Sequence, residues 1–137
     1  MRARALEMAQ IVGTGIDLIE VERVKAALER PATGARFRAR VFTEREIAYC
    51  ESRGLGRFQS YAARFAAKEA AMKALGTGWS RNVGWRDIEV IRERGRPPGI
   101  ALWGKAAELA RRRKVSRFHL SITHTALGAI AHVIAEG

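Results

Sequence analysis

Three side chains have types and spacings that could do chemistry together: Asp17, inside an apolar run, and Glu69 and Lys73, four residues apart on a helix-forming stretch. At about 100° per residue, Phe58, Tyr61, Phe65 and Met72 of that stretch share one stripe, and Glu69 lies only about 40° from Phe65. A carboxylate on a core-facing stripe is costly unless a cation or hydrogen-bond donors receive it. Lys73, one turn on, allows an ordinary i,i+4 surface pair with Glu69. The stripe argues instead for a functional carboxylate, because a surface pair belongs on a polar side. Asp17 poses the same question, flanked by Ile16, Leu18 and Ile19. Either it accepts backbone hydrogen bonds near a strand end, or it shares a divalent cation with Glu69. Magnesium takes one or two protein carboxylates, waters and substrate phosphate oxygens, so such a site needs no four-ligand protein cage.

The remaining reactive residues are less patterned. His119 alternates with core residues and reads as solvent-facing, whereas His132 lies in an apolar strand and reads as a structural histidine. His124 sits in a polar turn, Thr123-His124-Thr125, just beyond a strand, which suits a phosphate or ribose contact as well as turn stabilisation. Cys50 is the single cysteine. It has no intrachain disulfide partner, favours a reducing compartment and reads as packing rather than nucleophile. Neither the GTGID run at Gly13–Asp17 nor the GTG at Gly76–Gly78 has the spacing of a dinucleotide fingerprint or a P-loop.

These residues must be positioned by a recognisable series of elements. Ile11–Ile19 is β-branched and interrupted by glycine, a strand buried on both faces. Val21, Val24 and Leu28 then follow a helical period that stops before Pro31, and Pro31–Arg40 reads as a basic loop. Thr43 and Glu46 form a capping-box pattern that opens a short helix to about Ser52. Gly54-Leu55-Gly56 breaks the chain before an alanine-rich helix over about Phe58–Leu75, closed by Gly76. Strands are expected over Asp87–Arg92 and Gly99–Trp103, with a turn at Gly95-Arg96-Pro97 between them. A helix over Lys105–Lys114 ends in the block Arg111-Arg112-Arg113-Lys114, usually a solvated face. Phe118, Leu120 and Ile122 alternate with polar residues in a half-buried strand, and Ala129–Ala135 is a last apolar strand. The order implies an α+β domain, a mainly antiparallel sheet packed with a long helix and shorter ones.

With 137 residues the chain holds one domain, over 11–137, and can bury a core without disulfides or metal. The first ten residues, MRARALEMAQ, have no apolar signal region, read as a disordered or added extension, and leave Met8 as a possible start. No apolar run approaches the roughly 18 residues of a membrane span. The formal charge of +11 calls for an acidic partner: nucleic acid, acidic protein, anionic membrane or phosphorylated small molecule. An RNA-binding module is the main reading from another class, but the aromatic residues form no stacking motif.

The segments GTGIDLIEVERV (Gly13–Val24), FTERE (Phe42–Glu46), RFAAKEAAMKALGTG (Arg64–Gly78), GRP (Gly95–Pro97) and SITHT (Ser121–Thr125) stand in one order. In that combination the chain resembles the holo-[acyl-carrier-protein] synthases, small phosphopantetheinyl transferases of fatty-acid synthesis. The resemblance implies transfer of 4′-phosphopantetheine from coenzyme A to a serine of an acidic apo-acyl-carrier protein, releasing adenosine 3′,5′-bisphosphate. It implies magnesium held by Asp17 and Glu69. The serine proton then needs an acceptor, and Glu69, directly or through a metal-bound water, is the candidate base. Lys73, with Lys68 as a second candidate, falls near the coenzyme phosphates. Arg64, Gly76, Pro97, His124 and Thr125 match further coenzyme positions, and Arg23 matches a carrier-protein contact. Arg96 stands where the family has lysine, which keeps the charge but changes its shape. The resemblance also implies a cytoplasmic homotrimer with active sites between subunits, and no role for membrane or nucleic acid.

Overall fold

The computed structural model describes residues 8–76 and 83–137. Its elements are β1 (Ile11–Glu20), α1 (Val21–Glu29), α2 (Gly34–Val41), α3 (Glu44–Glu51), α4 (Arg57–Leu75), β2 (Ile88–Ile91), β3 (Gly99–Leu102), α5 (Gly104–Arg112), β4 (Arg117–His124) and β5 (Gly128–Glu136). Strands β1, β5 and β4 form an antiparallel sheet in that order, and β2 pairs with β3 in a separate antiparallel ribbon. The architecture is α+β, as the element order implies.

The core is the seam between α4 and the larger sheet. Alanine is buried in the helix at positions 62, 63, 66, 67, 70, 71 and 74, and Ala129, Ala131, Val133 and Ala135 are buried on β5. Small side chains on both surfaces let backbone approach backbone. At Gly15 the approach is so close that an added Cβ would stand 1.9 Å from the Ala70 carbonyl oxygen. Gly13 is the same case against Ala74, at 2.0 Å. The glycines of the GTG run therefore serve packing. Gly76 closes α4 in the left-handed region at φ 82°, which the sequence anticipates.

Two expectations are corrected. Strand β1 is buried on one face only: Gly15 and Ile19 face α4, while Ile16 and Leu18 are 61% and 68% exposed on the other side. Apolar and β-branched content alone does not distinguish a strand covered twice from one covered once. The stretch Pro31–Arg40 is not a loop throughout, because it contains α2. Phe37 packs against the core and Val41 is buried, an i,i+4 pair, and the arginines of the segment mask this helical period. The capping box is present as expected, with Thr43 Oγ1 accepting from Glu46 N and Glu46 Oε1 accepting from Thr43 N. Gln10 exchanges two backbone hydrogen bonds with Gly137, so the start of the sheet reaches one residue into the segment read as an extension. Residues 1–7 of that segment, and Thr77–Gly78 of the second GTG, lie outside the described residues.

Candidate active site

Strand β1 alternates, so Asp17 shares its inner face with Gly15 and Ile19. The close approach at the glycines brings α4 near enough for Lys73 to reach it. Lys73 Nζ lies 3.2 Å from Asp17 Oδ1 and donates to the Ile16 carbonyl oxygen at 3.0 Å. Lys73 thus partners Asp17 across the seam. The carboxylate is mostly covered and the lysine half open, with side-chain exposures of 18% and 53%. Lys73 is therefore a cation already attracted to the Asp17 carboxylate from the solvent side.

Glu69 is half-buried and not core-facing. Helix α4 is covered almost all round, and its least buried line runs through Phe58, Phe65, Glu69 and Lys73. The apolar stripe read from the sequence mixes fully buried Tyr61 and Met72 with that half-open line. Glu69 and Lys73, one turn apart, share the line, so both side chains project on the Asp17 side of the helix. Below them, Phe65 forms the floor of a 310 Å³ groove with Ile19, Val24 and Phe37, and Arg23 stands on its rim.

A second, larger cleft of 640 Å³ opens elsewhere on α4. Arg53, Arg64, Arg92, Pro97, Ser121 and His124 all line it. Arg64 is almost fully buried and stacks its guanidinium 4.1 Å over the Tyr49 ring. Among the described residues, Nη1 donates to Ser60 O at 3.3 Å and Nε has no partner. A buried guanidinium with an unused donor is the chemistry of an anion site. Arg53 and Arg92 add positive charge on the same walls, and neither is distinguishable by sequence spacing from the other surface arginines. His124, at the end of β4, has Nδ1 2.9 Å from Gln59 Oε1. Thr125 Oγ1 accepts from Leu127 N and Gly128 N, so this hydroxyl also holds the turn.

The expected site residues therefore form two groups. Arg64, Pro97 and His124 gather at the cleft; Asp17, Glu69 and Lys73 gather at the other end of α4. Lys73 lies roughly 14 Å beyond Arg64 along the axis and roughly 180° around it, and Glu69 roughly 140° around. Gly76 stands beyond both groups, at the helix end beside the Arg113 guanidinium. Arg23 is exposed on α1.

Lys68 departs from its expected place. It is 0% exposed, with Nζ 2.7 Å from Glu46 Oε1 and donating to the Trp85 carbonyl oxygen at 3.0 Å. Burial pulls this ammonium below the ordinary lysine value, and Glu46 opposes that pull. It opens on neither the cleft nor the groove. Alanine on both sides of it, at 66–67 and 70–71, is the sequence signal for a lysine inside the fold. Cys50 is also interior, and burial pushes its thiol up to about 12, which suits packing and not nucleophilic attack. His132, read as a structural histidine, faces outward on β5. His119 is exposed as expected, with Nε2 2.6 Å from Glu136 Oε1.

No three His, Cys, Asp or Glu side chains among the described residues group as a metal cage. Asp17 and Glu69 still suit magnesium, which needs only one or two protein carboxylates beside water and phosphate. No described helix is long and apolar enough to cross a membrane.

A family model described as the 4′-phosphopantetheinyl transferase superfamily matches residues 13–128. A holo-[acyl-carrier-protein] synthase of Solibacter usitatus is 52% identical over 126 residues, covering 92% of this chain and 98% of that protein. The structure of the Neisseria meningitidis holo-[acyl-carrier-protein] synthase superposes with a TM-score of 0.81 at 29% identity, covering 93% of this chain and 100% of the other. A holo-(acyl-carrier-protein) synthase from Bacillus anthracis, solved in complex with CoA (3′,5′-ADP), is similar at 34% identity and a TM-score of 0.74, covering 93% and 97%.

Proposed function

Because the chain belongs to the 4′-phosphopantetheinyl transferase superfamily, we propose that its arginine-lined cleft and its Asp17–Glu69 carboxylates are two parts of one transfer site. The protein is a holo-[acyl-carrier-protein] synthase: it moves 4′-phosphopantetheine from coenzyme A to a serine of apo-acyl-carrier protein and releases adenosine 3′,5′-bisphosphate. The observation that carries the site assignment is the buried Arg64 guanidinium, with Nε unpartnered among the described residues, in a cleft shared with Arg53, Arg92 and His124. Coenzyme A brings a diphosphate and a 3′-phosphate, and such a cleft suits that polyanion.

In the reaction the serine oxygen forms a bond to the phosphorus that carries pantetheine. The bridging bond from that phosphorus to the nucleotide phosphate breaks, and the nucleotide keeps the electron pair. Glu69 accepts the serine proton. Lys73 neutralises phosphate oxygens that shield the phosphorus and gain charge as the bond breaks. Asp17 and Glu69 would hold a magnesium ion, which would supply Lewis-acid neutralisation of the same charge. Incubation with coenzyme A, magnesium and an apo-acyl-carrier protein should add the phosphopantetheine mass to the carrier. Retention on RNA with no mass gain would reverse the assignment.

The opposite placement of cleft and carboxylates around α4 supports a site completed by a second copy, the cleft of one subunit meeting Asp17 and Glu69 of the next. The outer face of the larger sheet supports the same reading. There Ile16, Leu18 and Ile130 are exposed, and an apolar sheet face of this kind marks an interaction surface. A head-to-tail contact of this kind closes into a ring, and the family resemblance makes that ring a homotrimer. Leu18→Asp is expected to sediment as a monomer and to lose nearly all transfer activity; a fully active monomer would refute the shared site.

The charge of +11 serves the same function. Arg23, exposed beside the groove, would meet an acidic carrier protein. Carrier association should slow by about tenfold or more as salt rises from about 50 to about 500 mM, with dissociation changing less. Stopped-flow mixing measures both, and salt-independent association would contradict it.

A further inference from the structure

The transfer chemistry leaves one buried charge pair without a role. Glu46 is 1% exposed and Lys68 0%. Removing an ion pair from water is costly, and this one is retained with further polar contacts around it. Glu46 Oε2 accepts from Val90 N at 2.8 Å, while Lys68 Nζ donates to the carbonyl oxygens of Ile88 and Trp85. Ile88 and Val90 are two residues apart on β2, so these backbone groups lie on the same strand edge. Strand β2 has β3 as its ladder partner, and the ion pair occupies the edge away from it. One carboxylate and one ammonium thereby replace a neighbouring strand, joining α3, α4 and β2 at a single point.

That edge bears on the cleft. Val90 itself lines it, Arg92 follows two residues on, and Pro97 and Pro98 stand on the return to β3. The opposing wall carries Arg64, one helical turn before Lys68 on α4. From this arrangement we infer that Glu46 and Lys68 are a positioning pair for coenzyme A: they set the separation between the β2–β3 wall and Arg64 without touching the coenzyme. The inference rests on the cleft being the coenzyme site.

The experiment compares wild type with Glu46→Gln, Lys68→Met and the double variant, which leaves no unpaired charge. Each is expected to raise KM for coenzyme A, and the dissociation constant of adenosine 3′,5′-bisphosphate, by about tenfold, the scale of one lost charged hydrogen bond. KM for the carrier protein and kcat at saturation should stay within about twofold, a split that general destabilisation would not produce. The double variant should be no worse than the weaker single variant, because the two side chains act as one unit. Wild-type coenzyme affinity in the double variant, or equal changes in both KM values and kcat, overturns the inference. Amide exchange at Val90 tests the pair without ligand: protection should be strong in wild type and fall about tenfold in Glu46→Gln. Rapid exchange in wild type, or no change in the variant, overturns the pair itself. Failure of wild type to bind adenosine 3′,5′-bisphosphate, with Val90 behaving as expected, would instead refute the coenzyme site.

Discussion

Gly15→Ala is expected to destabilise the fold by about 3 kcal/mol or more, the upper end of what overpacking one methyl costs. The added Cβ would stand 1.9 Å from the Ala70 carbonyl oxygen and 2.9 Å from Ala74 N. Both obstacles are helix backbone, so no side chain can rotate away, and α4 must separate from β1 along its length. A loss of this size removes a large share of a typical total stability of roughly 5–15 kcal/mol. Function should suffer before global unfolding, because the same seam holds Lys73 within 3.2 Å of Asp17. Urea unfolding gives the measurement, with Gly99→Ala as the control, since a Cβ at Gly99 meets nothing within 4 Å. Equal midpoints for the two variants would show that the seam yields easily, and the argument would then fail.

The glycine run also shows which features a sequence makes legible. Local devices could be read directly. The Thr43–Glu46 capping box, the left-handed Gly76 and the alternation along β4 each involve residues within a few positions of one another, and each stands as read. Features that depend on distant chain segments were obscured. Whether β1 is covered on one face or two depends on what packs outside Ile16 and Leu18. Periodicity placed Glu69 on the same stripe as Phe65, but not at the half-open edge of that stripe, because α4 has no polar side from which to judge. Lys68 reads in the sequence as a second coenzyme lysine, but Glu46, twenty-two residues earlier, lies against it. The cleft joins residues from α3 to β4, so Arg53 and Arg92 could not be singled out among the many arginines of the chain.

Glu69→Gln is expected to lower kcat by about 10²–10⁴-fold, the range for removing a positioned general base. Glutamine keeps the size and a carbonyl oxygen but cannot accept the serine proton. The side chain is proposed to have two duties, and a magnesium titration separates them. If Glu69 serves chiefly to hold the metal, saturating magnesium restores turnover toward wild type. If it serves as the base, the loss persists at every magnesium concentration, and KM for coenzyme A changes little because the cleft is untouched. Lys73→Met is the companion variant. It removes the Asp17 partner and the neutralising charge but leaves a base in place, so its rate should drop by less than in Glu69→Gln. Near-normal turnover of Glu69→Gln at saturating magnesium would sink the assignment and move the search for the base to Asp17. The lysine is the poorer alternative, since Lys73 is half exposed and ion-paired with Asp17.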